Sequence, residues 1–117
     1  MNEQAKRAHD PQDLERLIIS RQWAGDVDGM VALFEPQAVV DHGGEQLAVG
    51  REAIREVFAA LVATGRKFQR GVQQAAIING DLALTSTRLP DGTVTAEVAR
   101  RQSDGTWLWV IDKFTIA

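Results

Sequence analysis

The 117-residue chain has no cysteine and no tyrosine, only three prolines and only two histidines. Without cysteine there is no disulfide framework, no thiolate-bound zinc or iron–sulfur cluster, and no thiol nucleophile. One of the two histidines, His9, sits in a polar N-terminal stretch. A His₃ or His₂-carboxylate metal site therefore needs that stretch or a partner chain to supply ligands. No apolar run is long enough to cross a bilayer, and Met1 to Asp10 lacks the apolar core of a signal peptide. Thirteen Lys+Arg against sixteen Asp+Glu leave a net charge of −3, with no drive toward nucleic acid. Gly-rich phosphate loops, Walker patterns and GxSxG elbows are missing as well. What remains is a single soluble domain, expected in the cytoplasm and long enough to bury roughly 65% of its unfolded surface unaided.

Residues 1–10 show no periodicity and read as a flexible tail, with a single domain over residues 11–117. Asp10 and Pro11 predict a helix start. Leu14, Leu17, Ile18 and Arg21 share one helix face, while Ile19 and Trp23 form a second stripe. Gly25-Asp26 ends this helix and caps a second, whose stripe is Val27, Met30, Val31 and Phe34, with Pro36 as its stop. Ala38–His42 and Leu47–Val49 read as short strands around Gly43-Gly44. A third helix carries Ile54, Val57, Phe58, Leu61 and Val62 and closes at Gly65. The period then changes to two. Four strands, near residues 67–79, 82–89, 93–102 and 106–116, are separated by Asn79-Gly80, Asp91-Gly92 and Asp104-Gly105, which are hairpin signals. Helices followed by an antiparallel meander predict an α+β domain with the helices on one face.

The run Gly25-Asp26-Val27-Asp28-Gly29-Met30-Val31-Ala32-Leu33-Phe34, the Ala-Val-Val strand and Gly50-Arg51-Glu52-Ala53-Ile54-Arg55 resemble the nuclear transport factor 2-like superfamily. Within it, the chain is most similar to the SnoaL-like and ketosteroid-isomerase-like branches. Arg100 to Asp112 matches the last hairpin of that group, and the likeness spans roughly residues 12–116. The resemblance implies a cone: a curved antiparallel sheet wrapped around the N-terminal helices, with a pocket inside and a homodimer formed through the sheet. It does not imply one reaction, because the scaffold hosts isomerases, cyclases, dehydratases, epoxide hydrolases and binding modules. The steroid-isomerase site carries over poorly. Its tyrosine position corresponds to Ile18, its general-base aspartate to His42, and its second acid to the neighbourhood of Glu97.

The residues offer their own candidates. His42 shares a strand face with Ala38 and Val40 and is either a general base or a solvated histidine at a Gly-Gly turn. Asp112 alternates with Leu108, Val110 and Phe114, opposite Trp107, Trp109 and Ile111. An acid in that row either pairs with Arg100, Arg101 or Lys113 or lines the pocket with a raised pKa. Two-residue turns at both Asp-Gly sites would set Ser86 against Glu97 and Glu97 against Asp112, with Arg88 diagonal to Glu97. A three-residue last loop would instead set Asp112 against Ala96. Arg21 and Arg88 are candidates to orient substrate oxygen, and Trp23 and Ile18 to line the pocket. The two tryptophans of the last strand read as core or dimer seam.

These readings converge on a pocket protein for a small hydrophobic ligand. The leading expectation is a cofactor-independent acid–base enzyme acting on a carbonyl-containing substrate, with His42, Asp112 and Glu97 as catalytic residues. A non-catalytic ligand-binding or dimerisation module is the alternative. An epoxide hydrolase-like site would need an Asp-Arg-Asp set, of which Asp112 and Arg88 supply part. The readings separate on whether His42 and Asp112 converge, and on whether Phe68, Leu84 and Trp23 fill the cone.

Overall fold

The computed structural model describes residues 6–117. Helices α1 (Asp13–Trp23), α2 (Val27–Val31) and α3 (Gly50–Ala63) are combined with strands β1 (Phe34–Asp41) and β2 (Leu47–Val49). The second half is all strand: β3 (Val72–Gln73), β4 (Ile77–Asn79), β5 (Leu82–Thr85), β6 (Thr87–Arg88), β7 (Ala96–Arg101) and β8 (Trp107–Lys113). The main sheet has the order β2-β1-β8-β7-β5-β4, and β3 pairs with β6 separately. This is the expected α+β cone, a curved sheet with the helices inside. One pair departs from the expected antiparallel meander, because β1 runs parallel to β8.

The helices are set by their apolar stripes. Leu14, Leu17 and Ile18 of α1, Met30 and Val31 of α2, and Ile54 and Phe58 of α3 are all buried. They meet Phe34 and Trp109, whose rings lie 5.1 Å apart. Asp26 caps α2 by accepting from the Gly29 N–H at 2.9 Å. The first helix begins two residues later than Asp10-Pro11 suggested. There Asp10 caps a preceding turn, its carboxylate accepting from the Gln12 N–H at 2.9 Å.

Two expectations change near the helices. Pro36 does not stop α2; it lies within β1, where the pairing to β8 is interrupted between Phe34 and Val39. An irregular strand segment can accommodate a residue with no N–H to give. The N-terminal tail is also not loose throughout. Its first five residues lie outside those described, but Ala8 is buried and its carbonyl accepts from the Trp107 N–H at 2.9 Å.

Candidate active site

The last hairpin turns through a loop of Ser103, Asp104 and Gly105, closed by Gln102 N–H donating to the Thr106 carbonyl at 2.6 Å. Gly105 takes φ +86°, which this loop requires and L side chains disfavour. Asp104 fixes the loop by accepting from the Thr106 N–H at 2.9 Å. By itself this loop pairs Arg101 with Trp107 and would bring Asp112 opposite Ala96. Between the Ala99–Trp109 and Val98–Ile111 pairs, however, Val110 is an extra residue on β8. This bulge shifts the register back by one, so Glu97 faces Asp112.

The bulge also changes which side chains face inward. Trp107, Trp109 and Asp112 are all buried, whereas Ile111 and Lys113 face out. The tryptophans and Asp112 therefore share the inner face, correcting the strict alternation expected for this strand.

The preceding hairpin is corrected in the same way. Leu89 N–H donates to the Thr93 carbonyl at 2.7 Å, so Pro90, Asp91 and Gly92 form a three-residue loop. Thr85, instead of Ser86, lies opposite Glu97. Its hydroxyl donates to Glu97 Oε1 at 2.7 Å in a buried contact. Thr87 takes the inward position that Arg88 was expected to hold, and Arg88 is exposed.

Asp112 is 7% exposed, and its natural cationic partners are engaged elsewhere. Arg100 pairs with Glu35 at 3.0 Å, Arg101 with Asp81 at 2.7 Å, and Lys113 with Asp41 at 2.7 Å. Burial, together with the Glu97 charge opposite, pushes the Asp112 carboxyl well above its ordinary range. Glu97 is also raised by burial and, to a lesser degree, by Glu15. Hydrogen bonds from the Thr95 and Thr85 side chains counter that rise by favouring its charged form. The pair is thus asymmetric: Asp112 is the more strongly pushed toward its protonated form, and Glu97 has hydrogen bonds that favour its carboxylate.

Both acids open on a cavity of about 340 Å³. Its apolar walls include Ile18, Phe58, Leu61, Phe68, Trp109 and Phe114, and its polar lining is Glu15, Gln69, four threonines, Glu97 and Asp112. Phe68 is held over it from α1. Gln22 Oε1 accepts from the Phe68 N–H at 3.0 Å, and Trp23 Nε1 donates to the Phe68 carbonyl at 2.7 Å. Phe68 therefore forms part of the wall without filling the cone. Leu84 points out of it, and Trp23 is 54% exposed.

The remaining candidates are not brought together. His42 lines a separate depression with Leu47, Ala48, Ala53, Glu56 and Val57, so it does not converge with Asp112. The strand ends at Asp41, and His42 belongs to the turn, its N–H donating to the Gln46 carbonyl at 3.0 Å. Arg21 is buried, but its guanidinium donates to the Gly29 carbonyl at 2.7 Å and the Lys6 carbonyl at 2.5 Å, tying α2 and the N-terminal segment to α1. With Arg88 exposed, no Asp-Arg-Asp set forms. Ile18 does line the cavity. Glu15 was missed by sequence reasoning, although its i, i+3 relation to Ile18 is a signal that both reach the same space. Among the described residues, no group of three His, Asp or Glu side chains could hold a metal ion.

The sequence profile of a family described as a SnoaL-like domain matches residues 14–117. No curated protein matches the sequence. Among solved structures, the chain is similar to a Thiobacillus denitrificans protein described as a calcium/calmodulin-dependent protein kinase type II association domain, at 18% identity and TM-score 0.70, covering 92% of this chain and 95% of that one. It is also similar to a protein from Streptomyces avermitilis described as a dehydratase of the nuclear transport factor 2-like family. That match has 17% identity and TM-score 0.71, over 91% and 94% of the two chains. A Catenulispora acidiphila protein solved in complex with S-DNPA is 22% identical at TM-score 0.61, over 86% of each chain. At these identities the solved structures speak for the fold alone.

Proposed function

This chain belongs to the SnoaL-like domain family, and we propose that its cavity takes up a small hydrophobic, carbonyl-containing molecule on which Glu97 and Asp112 transfer protons. The observation that carries this reading is Asp112: a buried acid facing the cavity, whose carboxyl makes no hydrogen bond or ion pair to any described residue. Two adjacent buried carboxyls cost stability that an apolar pair would not, and such costs concentrate at functional sites.

The chemistry follows from the asymmetry of the pair. Asp112 donates its proton to the ligand's carbonyl oxygen while Glu97 removes a proton from the adjacent carbon, giving an enol. Collapse of the enol returns the oxygen-bound proton to Asp112. The Glu97 proton then goes either to the far carbon of a double bond conjugated with the enol, an isomerisation, or to a departing β-hydroxyl, which leaves as water. No step calls on an organic cofactor. The dehydratase description of the Streptomyces avermitilis relative is in keeping with the second course. A non-catalytic binding role is the other reading, favoured by the position of His42 outside the cavity.

A homodimer through the sheet belongs to the same proposal. Val49, Val39, Ile111, Val98, Leu84 and Ile77 are successive register partners across all six strands. Four of them, Val49, Ile111, Leu84 and Ile77, are exposed. An apolar row of that length suits a second copy of the same row. No helix among the described residues is long and apolar enough to cross a membrane, and a cytoplasmic setting completes the proposal.

The test is deuterium exchange at the α-carbon of small cyclic ketones in D₂O, followed by NMR. The wild type should accelerate exchange by about 100-fold or more, and Glu97→Gln and Asp112→Asn should abolish the effect. Saturable ketone binding without exchange would establish the binding role instead. No binding at all would remove the cavity from consideration.

A further inference from the structure

We propose that the molecule held in this cavity carries a positively charged nitrogen, an ammonium group on a hydrophobic body, bound by Glu15 beside the Glu97–Asp112 pair. The inference rests on the cavity being a ligand site, as proposed above, and adds the charge class of the ligand. It does not depend on which proton is transferred.

Every ionisable side chain lining the cavity is an acid: Glu15 from α1, Glu97 from β7 and Asp112 from β8. No lysine, arginine or histidine among the described residues lines it. The nearby cations of the sheet, Arg100, Arg101 and Lys113, are committed to Glu35, Asp81 and Asp41. A carboxylate or phosphate ligand would enter a space whose fixed charges are all of its own sign.

Asp112 adds an independent pointer to a ligand. It is 7% exposed, lines the cavity, and finds no hydrogen-bond partner among the described residues. That unmet carboxyl marks a place for a ligand, and beside it the carboxylates of Glu15 and Glu97 only accept hydrogen bonds, whereas an ammonium group only donates them, three at once. Glu15 has capacity to spare. Its carboxylate accepts from the Gly71 N–H at 3.3 Å and the Thr87 hydroxyl at 3.4 Å, both long contacts that leave lone pairs open. A cation placed there would also offset the influence of Glu15 on Glu97.

The cation is organic. No three His, Asp or Glu side chains of the described residues are grouped as metal ligands, and a cavity of about 340 Å³ has room for an organic body. Around them stand Phe58, Phe68, Trp109 and Phe114, which suit an apolar body and attract a cation to their ring faces.

Three probes with the same phenyl body test this: 2-phenylethylamine, 2-phenylethanol and 3-phenylpropanoate, titrated calorimetrically and by NMR at pH 8. The wild type should bind the amine at least about tenfold more tightly than the alcohol, and the carboxylate most weakly. Glu15→Gln should remove most of the amine's advantage, and a cooperative thermal melt reports that the variant is folded. Equal or better binding of the alcohol or carboxylate to the wild type overturns the proposal, as does an amine advantage that survives Glu15→Gln. Failure of all three probes to bind overturns it too. Ketone exchange in the absence of any amine preference would defeat this inference alone and leave the proposed function standing.

Discussion

Glu97 and Asp112 face each other because two one-residue shifts cancel: the loop Ser103-Asp104-Gly105 slides β8 one way, and the bulge at Val110 slides it back. The same bulge turns Asp112 onto the face that already carries Trp109. One inserted residue thus places a carboxyl pair on the cavity wall, against a carboxyl-stabilising threonine on one side and an aromatic ring on the other.

The raised carboxyls link stability to pH. Unfolded, Glu97 and Asp112 ionise in the ordinary carboxyl range; folded, burial makes both hold their protons to higher pH. The folded state therefore binds more protons within that window, and stability falls as pH rises through it. The lowered acids Asp41, Asp91 and Asp104 act in the opposite direction, but only as pH drops below about 4. Denaturant titrations from about pH 5 to 8 should show the decline. Asp112→Asn should flatten it and gain on the order of 1–3 kcal/mol at the alkaline end. Identical slopes for variant and wild type would contradict the assignment.

Thr85 should control how readily Glu97 ionises. Its buried hydroxyl donates to Glu97 Oε1 at 2.7 Å, a bond that favours the carboxylate. Thr85→Val keeps the shape and deletes the donor. The Glu97 titration, followed by carboxyl ¹³C NMR, should move upward. The variant should lose about 1–2 kcal/mol where Glu97 is ionised and less where it is protonated. A Glu97 titration that does not move would show that the hydroxyl has no electrostatic role.

The architecture was legible in the sequence because it depends on repeated patterns: helix stripes such as Ile54 and Phe58, and Asp-Gly turns between period-two segments. Register was not. Asp91-Gly92 and Asp104-Gly105 fit loops of two or three residues equally well, and Val110 carries no mark of being the extra residue in a bulge. Once alternation broke there, so did the expectation that Trp109 and Asp112 lie on opposite faces. Of the two readings of His42, the turn position is the one observed, since the strand ends one residue before it. Glu15 was passed over, because only the curved sheet brings Glu97 and the other cavity residues around it.

Ile111 lies mid-row on the outer sheet face, between Val39 and Val98, and is 49% exposed. Ile111→Lys puts a charge at the centre of the apolar row and faces away from the cavity. Sedimentation should show the wild type as a dimer and the variant as a monomer, with the melting temperature measured at low concentration little changed. A wild type that sediments as a monomer at high micromolar concentration would eliminate the sheet dimer.

His42 provides the sharpest separation between the chemistry expected from the chain alone and the chemistry the cavity supports. An imidazole is the usual general base at neutral pH, and on composition alone His42 is the first choice. Yet it stands in a turn, in a depression that shares only Leu61 and Phe114 with the cavity. His42 does not line the cavity that Glu97 and Asp112 line. His42→Ala should therefore change ligand affinity and proton-exchange rate by less than about twofold, whereas Glu97→Gln and Asp112→Asn should each lower exchange by orders of magnitude. A His42→Ala loss as large as that of Asp112→Asn would restore the histidine to the site.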